Sequence, residues 1–237
     1  MKNNIVYIGV DPGNQGGITI IDGKSINMFE MPIIVEKKGK KTKTSYDLCK
    51  IVDILSIYKD KKVVYALERV SCRPGEGGVS SFHFGTGFGI LQGIAIAFGF
   101  DLTIISPQIW KKSFPKLTTT EMDDLKEQNK DLRQKNKTFD IELKDLKSKN
   151  RKEKDKDQKK LNKSKIDELK SQQKDNKKEI DRNLRKIKSV AKDNARFLAV
   201  DLLPDNSDRF KRKKDDGVAE SYLIALHIKN EAVNELV

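Results

Sequence analysis

The chain has 237 residues, and its 48 Lys and Arg against 35 Asp and Glu give a formal net charge of +13. That surplus favours a polyanionic partner, with nucleic acid ahead of a membrane surface. Two cysteines and two histidines are too few for a disulfide scaffold and argue against a zinc site or a histidine-centred triad. The low cysteine count predicts a reduced, intracellular protein. Because the N-terminus enters a strand pattern directly and has no long apolar stretch, we expect a soluble protein without a secretion signal or a membrane span.

The predicted elements outside one charged segment are those of a mixed α/β protein. Apolar runs with strand character occur at residues 4–10, 16–21, 25–31, 61–67 and 102–106. Runs with helical spacing or buried-helix composition occur at residues 46–58, 85–98, 190–203 and 217–229. A strand meander followed by alternating helices and strands predicts a mixed sheet flanked by helices.

The charged segment covers residues 118–188, which are dominated by Lys, Asp, Glu, Asn and Gln and contain neither Gly nor Pro. Apolar and amide residues recur there in heptads in two registers, separated by a strongly charged stretch between Ser148 and Ser164. This pattern predicts an inserted antiparallel helical hairpin rather than a disordered linker. Residues 1–117 and 189–237 would then form one discontinuous domain.

Four acids lie at the polar ends of apolar segments. Asp11 and Glu68 follow predicted strands, where open α/β sheets place their ligand sites. Asp216 and Glu220 are four residues apart, so one helix face would carry both. Each acid alone could cap a turn or pair with a nearby base, but four converging carboxylates need cations, and hard oxygen ligands select Mg²⁺ or Mn²⁺. We expect two ions per site, with Asp215 as an alternative ligand.

Five ordered motifs carry a family resemblance that covers nearly all of the chain outside the charged segment. They are IGVDPGNQGG, ALERV, PGEGGVSSFHFGTGFGILQG, ISPQIWKK and KRKKDDGVAESYLIAL. Together they resemble the phage and viral branch of the RuvC-type Holliday junction resolvases, in the RNase H-like superfamily. The resemblance implies an RNase H-like fold, a nuclease domain made of residues 1–117 and 189–237, a homodimer, and symmetric Mg²⁺-dependent nicks across a four-way DNA junction.

The resemblance also implies roles for the acids. Asp11 matches the first-strand acid, Glu68 the acid of the central strand, and Glu220 the last acid on the C-terminal helix. Relatives often have a histidine where this chain has Asp216, and Asp215 matches the aspartate before it. Whether Asp215 or Asp216 is the third ligand stays open, and Glu220 replaces a usual aspartate.

Basic and aromatic residues near the acids are the predicted DNA contacts. The lysines and arginines would hold phosphates without reading bases. Phe82 and Phe84 could instead wedge into the junction or pack in the core or in a dimer interface. The predicted set is Arg69, Arg73, Phe82, Phe84, Lys111, Lys112, Lys211, Arg212, Lys213 and Lys214.

These patterns predict a structure-selective endonuclease that cuts four-way DNA junctions by two-metal-ion hydrolysis, with branched DNA as its partner and no small-molecule cofactor. Two alternatives remain: a branched-DNA-binding architectural protein without catalysis, and a fragment of an actin-like ATPase. The charged segment could extend the DNA-contacting surface, mediate dimer contacts or act as a solvated spacer.

Overall fold

The structure, a computed structural model, describes residues 5–39, 41–71 and 77–234. It divides into two compact units, Met1–Leu117 with Lys192–Val237, and Thr118–Ala191. The strands are β1 (Val6–Asp11), β2 (Gly17–Asp22), β3 (Ser25–Glu30), β4 (Ile33–Lys38), β5 (Lys41–Tyr46), β6 (Val63–Glu68) and β7 (Asp101–Ile105). The helices are α1 (Leu48–Ser56), α2 (Gly78–Ala97), α3 (Pro107–Lys112), α4 (Thr120–Lys152), α5 (Lys156–Leu202) and α6 (Asp216–Asn234).

The first unit is built on a five-stranded mixed sheet with the strand order β3-β2-β1-β6-β7. The first three strands form an antiparallel meander. β6 and β7 continue the sheet parallel to β1. This meander extended by two parallel strands, with helices on both faces, confirms the predicted α/β class and its RNase H-like arrangement.

Alternation along the strands decides which helices cover each face of the sheet. In β1, Val6, Ile8 and Val10 face a core that includes residues of α1 and α2. The intervening Tyr7 faces a second core with α6, α3 and the end of α5. Side chains alternate with a period of two, so Gly9 and Asp11 lie on the α6 face.

The contact between α6 and the sheet is unusually close at β1. A Cβ atom on Gly9 would lie 2.3 Å from both the backbone nitrogen of Ala225 and the carbonyl oxygen of Ser221. The hydroxyl group of Thr19, on β2, and that of Ser221, on α6, share a buried hydrogen bond of 2.8 Å. The missing side chain lets the helix reach the strand, and the hydroxyl pair fixes its position along the sheet.

Several elements differ from the sequence prediction. The β4–β5 hairpin was not predicted, because its lysine-rich strands lack a clean apolar alternation. α2 begins at Gly78, seven residues before the predicted start. The predicted separate helix over 190–203 is the end of the continuous α5. Among the described residues, no helix has both the length and the apolar character that a membrane span requires.

The second unit is an antiparallel helical hairpin, as predicted, with its reversal between Lys152 and Lys156. Two hydrogen bonds between the helices show that they run antiparallel. The side chain of Asn183 donates a 3.1 Å hydrogen bond to that of Asn129, and the side chain of Asn176 donates a 2.9 Å bond to that of Asn136.

Apolar packing in the hairpin is concentrated near Leu143, Ile166 and Leu169, with Phe139 and Leu146 against them. Farther along the seam, Asn129 and Asn183 are only 2% and 4% exposed. A shift of one helix along the other would leave these two buried amides without their mutual hydrogen bond. The pair therefore specifies the register of the hairpin at some expense of its stability.

The close approach of α6 gives a test of the fold. Gly9→Ala would place a methyl group against helix backbone that cannot rotate away. We expect the free energy of unfolding to fall by about 1–3 kcal/mol or more in chemical denaturation. Gly93→Ala is the matched control, since Gly93 lies in α2 and a Cβ there meets nothing within 4 Å. That change should raise stability by about 0.5–1 kcal/mol. Equal effects of the two substitutions would contradict the packing described.

Candidate active site

Three carboxylates meet at one edge of the sheet. β1 and β6 are parallel neighbours with Val10 opposite Leu67, so their last residues, Asp11 and Glu68, emerge side by side. Glu220 approaches them from the second turn of α6. One carboxylate oxygen from each of the three lies within 4.8 Å of the other two. This spacing allows a single cation to be shared among them.

The electrostatics of Asp11 reflect this crowding. Burial raises the pKa of the Asp11 carboxyl well above its usual range, and the negative charges of Glu220 and Glu68 raise it further. The nearby Lys111 opposes the shift without cancelling it. A cation among the carboxylates would relieve both the desolvation and the repulsion.

Glu68 is held by a tryptophan that the sequence analysis left without a role. The indole nitrogen of Trp110, in the short helix α3, donates a 2.9 Å hydrogen bond to Oε1 of Glu68. Trp110 itself is fully buried. Burial and Glu220 raise the pKa of Glu68, whereas this hydrogen bond lowers it, and the net shift is upward. A buried indole N–H needs an acceptor, which is the signal that could have identified the contact.

Lys111 lies among the acids as their counter-ion. Its ammonium group donates a 2.9 Å hydrogen bond to Oε1 of Glu220 and lies 4.8 Å from the centre of the Trp110 ring. Burial lowers the pKa of Lys111, but Glu220, Glu68 and Asp11 outweigh burial and raise it. One lysine therefore balances part of the charge of three carboxylates.

Asp216 and Asp215 lie outside the three-carboxylate cluster. Asp216 is buried and forms an ion pair with Lys192, near the end of α5, yet its charge still contributes to raising the pKa of Asp11. Asp215 is 1% exposed and accepts hydrogen bonds from the backbone nitrogen (2.7 Å) and Nε (2.9 Å) of Arg212. Asp215 thus closes the turn before α6, whereas Asp216 borders the cluster.

Tyr46, at the end of β5, supports the turn that follows Asp11. Its hydroxyl accepts a 2.9 Å hydrogen bond from the backbone nitrogen of Gly13. Burial raises the pKa of Tyr46, and the charge of Asp11 contributes to the shift. The β4–β5 hairpin that supplies Tyr46 was missing from the sequence prediction, so this contact could not be predicted.

The other predicted basic residues differ in their surroundings. Arg69 and Lys112 are exposed, as are the four residues of the basic run before Asp215. Three of those four form ion pairs: Lys211 with Asp208, Arg212 with Glu30 and Asp215, and Lys214 with Glu30. Lys213 is exposed. Arg73 lies outside the described residues.

The two phenylalanines lie on α2 in different environments. Phe82 is 72% exposed and contacts His83 edge to face. Phe84 is half-buried, and its Cε2 atom lies 3.8 Å from the position that a Cβ on Gly13 would take. Phe84 therefore packs over the turn beside Asp11, while Phe82 is free to contact a partner.

The donor set of the cluster fits a hard divalent cation. Asp11, Glu68 and Glu220 offer carboxylate oxygens only, which suit Mg²⁺ or Mn²⁺ better than a soft metal. Trp110 and Lys111 hold two of the three side chains in place, as hydrogen-bonded neighbours of metal ligands do. The three acids could therefore bind a metal ion.

Comparison with known proteins finds likenesses among solved structures. No protein-family model matches the chain, and no curated protein matches it. A solved chain described as T. thermophilus RuvC in complex with Holliday junction substrate is 12% identical, with 47% of this chain and 70% of that chain covered and a TM-score of 0.32. A likeness with so low an identity and TM-score carries no argument about this chain. The fold is defined by the strand order and by the helices that cover both faces of the sheet.

The raised pKa of Asp11 predicts a pH-dependent stability. A carboxyl whose pKa is higher folded than unfolded stabilises the fold below its unfolded pKa, and that stability is lost as the pH rises through the folded pKa. In EDTA, Asp11→Asn should therefore raise the Tm at pH 7 and raise it less at pH 4. The exposed Asp53 of α1 offers the control, because Asp53→Asn should show no such trend. A gain from Asp11→Asn that is the same at both pH values would contradict the electrostatic account.

The cluster also predicts metal-dependent stability. Mn²⁺ at about one hundred times its Kd should stabilise the wild-type chain by about 2.7 kcal/mol, because it binds the folded state alone. Glu68→Gln should abolish most of this gain in thermal unfolding and weaken Mn²⁺ binding in calorimetry. Glu36→Gln, on the exposed face of β4, should change neither. Equal Mn²⁺ stabilisation in the wild-type and Glu68→Gln chains would exclude the cluster as the binding site.

Proposed function

We propose that this protein is a divalent-metal-dependent endonuclease that cuts branched DNA, with four-way junctions as its substrate and symmetric nicks as its product. The observation that carries the proposal is the convergence of Asp11, Glu68 and Glu220 on a sheet with RNase H-like topology. Both strand-end acids lie where sheets of this kind place their ligands, and the donor set suits the metals that phosphodiester hydrolysis uses.

Each residue of the site has a part in the proposed reaction. Asp11, Glu68 and Glu220 would hold Mg²⁺, with Mn²⁺ able to substitute. The bound metal would supply an activated water and stabilise the leaving oxygen of the phosphodiester. Trp110 keeps Glu68 oriented by its hydrogen bond. Lys111, which donates to Glu220, is close enough to the acids to contact the scissile phosphate as well.

A second ion in the site would depend on Asp216. The negative charge of Asp216 contributes to the raised pKa of Asp11, but its carboxylate forms an ion pair with Lys192. To serve as a ligand, Asp216 would have to exchange the lysine for the metal, so the two-ion arrangement includes a movement of Lys192. Asp215 is the weaker candidate, because Arg212 and the turn before α6 already use both of its oxygens.

The proposed DNA path follows the exposed basic residues near the acids. Arg69, which comes directly after Glu68, and Lys112 are exposed and would contact the backbone beside the cut. In the run Lys211–Lys214, the ion pairs with Glu30 and Asp208 would compete with phosphates, so Lys213 is the strongest candidate there. We assign Arg73 the same role from its place in the sequence.

Symmetric nicks require two active sites, so the proposal includes a homodimer. The apolar side chains that α2 leaves exposed support it. Val79, Phe82 and Ile96 are each more than three-fifths exposed in the single chain. Phe82 could serve either in that interface or as a wedge at the junction centre.

Cleavage of defined substrates tests the function. The purified chain should be incubated with labelled four-way, three-way, flap and linear DNA in Mg²⁺ or Mn²⁺. We expect two symmetric nicks in the four-way junction and little cutting of linear duplex. Asp11→Asn and Glu68→Gln should each lower the rate by more than about 100-fold, since even neighbours of metal ligands contribute 10- to 100-fold. Junction affinity should change little, because basic residues supply it.

Asp53→Asn is the control for this experiment and should cut at the wild-type rate. If no substrate is cut with either metal, the nuclease proposal is wrong. Selective junction binding without cutting would then favour an architectural DNA-binding protein.

A further inference from the structure

The positive charge of the helical hairpin is concentrated at its reversal. We define the tip as residues 147–165, which contain ten Lys and Arg and three Asp and Glu. The remainder of the hairpin, residues 118–146 and 166–191, which we call the shaft, contains fourteen basic and thirteen acidic residues. The tip thus carries a net charge of +7 in nineteen residues, and the shaft is nearly neutral.

The shaft and the tip also differ in how their charges are paired. In the described structure, six of the shaft's fourteen basic side chains form ion pairs. Five of these pair with an acid three residues away, as Lys126 does with Asp123 and Lys178 with Asp175. All ten basic side chains of the tip are exposed. Within the described residues, Lys149, paired with Asp145, is the one member of the tip that forms a salt bridge.

Two of the three acidic side chains in the tip accept hydrogen bonds from backbone nitrogens. Oε1 of Glu153 accepts hydrogen bonds from the backbone nitrogens of Lys154 (2.8 Å) and Asp155 (3.1 Å). Oδ1 of Asp155 accepts from the backbone nitrogens of Asp157 (2.8 Å) and Gln158 (3.4 Å), and so caps the start of α5. These acids build the turn and leave the lysines around it without local partners.

Helix stability does not explain the lysines at the start of α5. Basic residues are favourable near a helix C-terminus, which accounts for Lys149, Arg151 and Lys152 at the end of α4. At a helix N-terminus the same charge is unfavourable, yet Lys156, Lys159 and Lys160 occupy the first turns of α5. These three lysines gain nothing from the helix dipole, which Asp155 and Asp157 at the same helix end complement.

We propose that the tip of the hairpin is a phosphate-binding element that contacts duplex DNA, separately from the acid cluster. Sequence-independent DNA binding needs an array of unpaired positive charges and no apolar surface. A membrane-surface helix needs an apolar face opposite its lysines. Leu161 is the one large apolar side chain in residues 147–165, so the composition favours DNA over a lipid surface.

The inference rests on the proposed function for its choice of DNA as the polyanion, but binding can be measured without cleavage. The tip variant replaces Lys156, Lys159, Lys160 and Lys163 by Gln. The shaft variant replaces Lys126, Lys130, Lys170 and Lys178 by Gln. Both changes remove four positive charges, and Gln has nearly the helix propensity of Lys. A third variant, with Arg at the four tip positions, keeps the charge.

Affinity for a short labelled duplex should be measured in EDTA over a series of KCl concentrations. Each phosphate contact contributes about 0.9 to the slope of log K against log[KCl]. If all four lysines contact DNA, the tip variant should lower the slope by about 3 to 4. The shaft and Arg variants should stay near the wild-type slope. Far-UV circular dichroism should show the same helix content in all four chains.

Several results would overturn the inference. They are an unchanged slope in the tip variant, an equal loss in the shaft variant, and tip-dependent binding to phosphatidylserine vesicles without tip-dependent binding to DNA. The cleavage experiment is independent of these outcomes. A chain that cuts no substrate but shows the tip-dependent slope would refute the nuclease proposal and leave the tip assignment standing.

Discussion

The backbone contact between α6 and β1 sets the geometry of the acid cluster. Asp11 and Glu68 are fixed by the sheet, because they end adjacent parallel strands in register. Glu220 reaches them only because α6 lies directly on Gly9, where any side chain would meet helix backbone. A small displacement of the helix would move Glu220 away without disturbing the strands. The site therefore depends on close packing as much as on the acids themselves.

That packing brings like charges together at a half-buried site, and the chain compensates for their repulsion only in part. Lys111 pairs with Glu220, Lys192 with Asp216, and the indole of Trp110 bonds Glu68. The pKa of Asp11 is still raised by burial and by Glu220 and Glu68. A half-buried group of carboxylates with too few counter-ions is unfavourable for folding alone. A divalent cation bound among the three acids would offset this cost, so the instability of the free site and its proposed affinity for metal would have one cause.

The sequence was informative wherever local pattern determines position. The apolar composition of β1 and β6 placed Asp11 and Glu68 at strand ends, where they would meet if the two strands were neighbours. The heptads of α4 and α5 predicted the hairpin and its reversal. Helical spacing placed Asp216 and Glu220 on one face of α6. It could not show that Lys192, from another helix, would hold Asp216.

The features that escaped prediction depend on contacts between distant segments. The indole of Trp110 and the hydroxyl of Tyr46 act on residues more than thirty positions away, and neither belongs to a periodic pattern. The lysine-rich β4–β5 hairpin has the composition of a loop, and its strands pair only with each other. Continuity of α5 beyond Val190 was also missed, because a change of composition there was interpreted as an end of the helix.

The two units handle positive charge in opposite ways, and this difference bears on their roles. In the acid cluster each base has a defined acidic partner, as Lys111 has in Glu220, which suits the proposed reaction because a reaction depends on the placement of a few atoms. In the tip of the hairpin, most lysines have no acidic partner in the described structure. This arrangement suits binding to a phosphate backbone, because the affinity depends on the number of contacts and hardly on their exact positions. A site that depends on exact side-chain positions tolerates few substitutions, whereas a surface that depends on the number of positive charges tolerates many. An inserted hairpin whose composition is almost entirely polar could therefore change the strength of the proposed DNA binding while the packing around Gly9 and the acids stays the same.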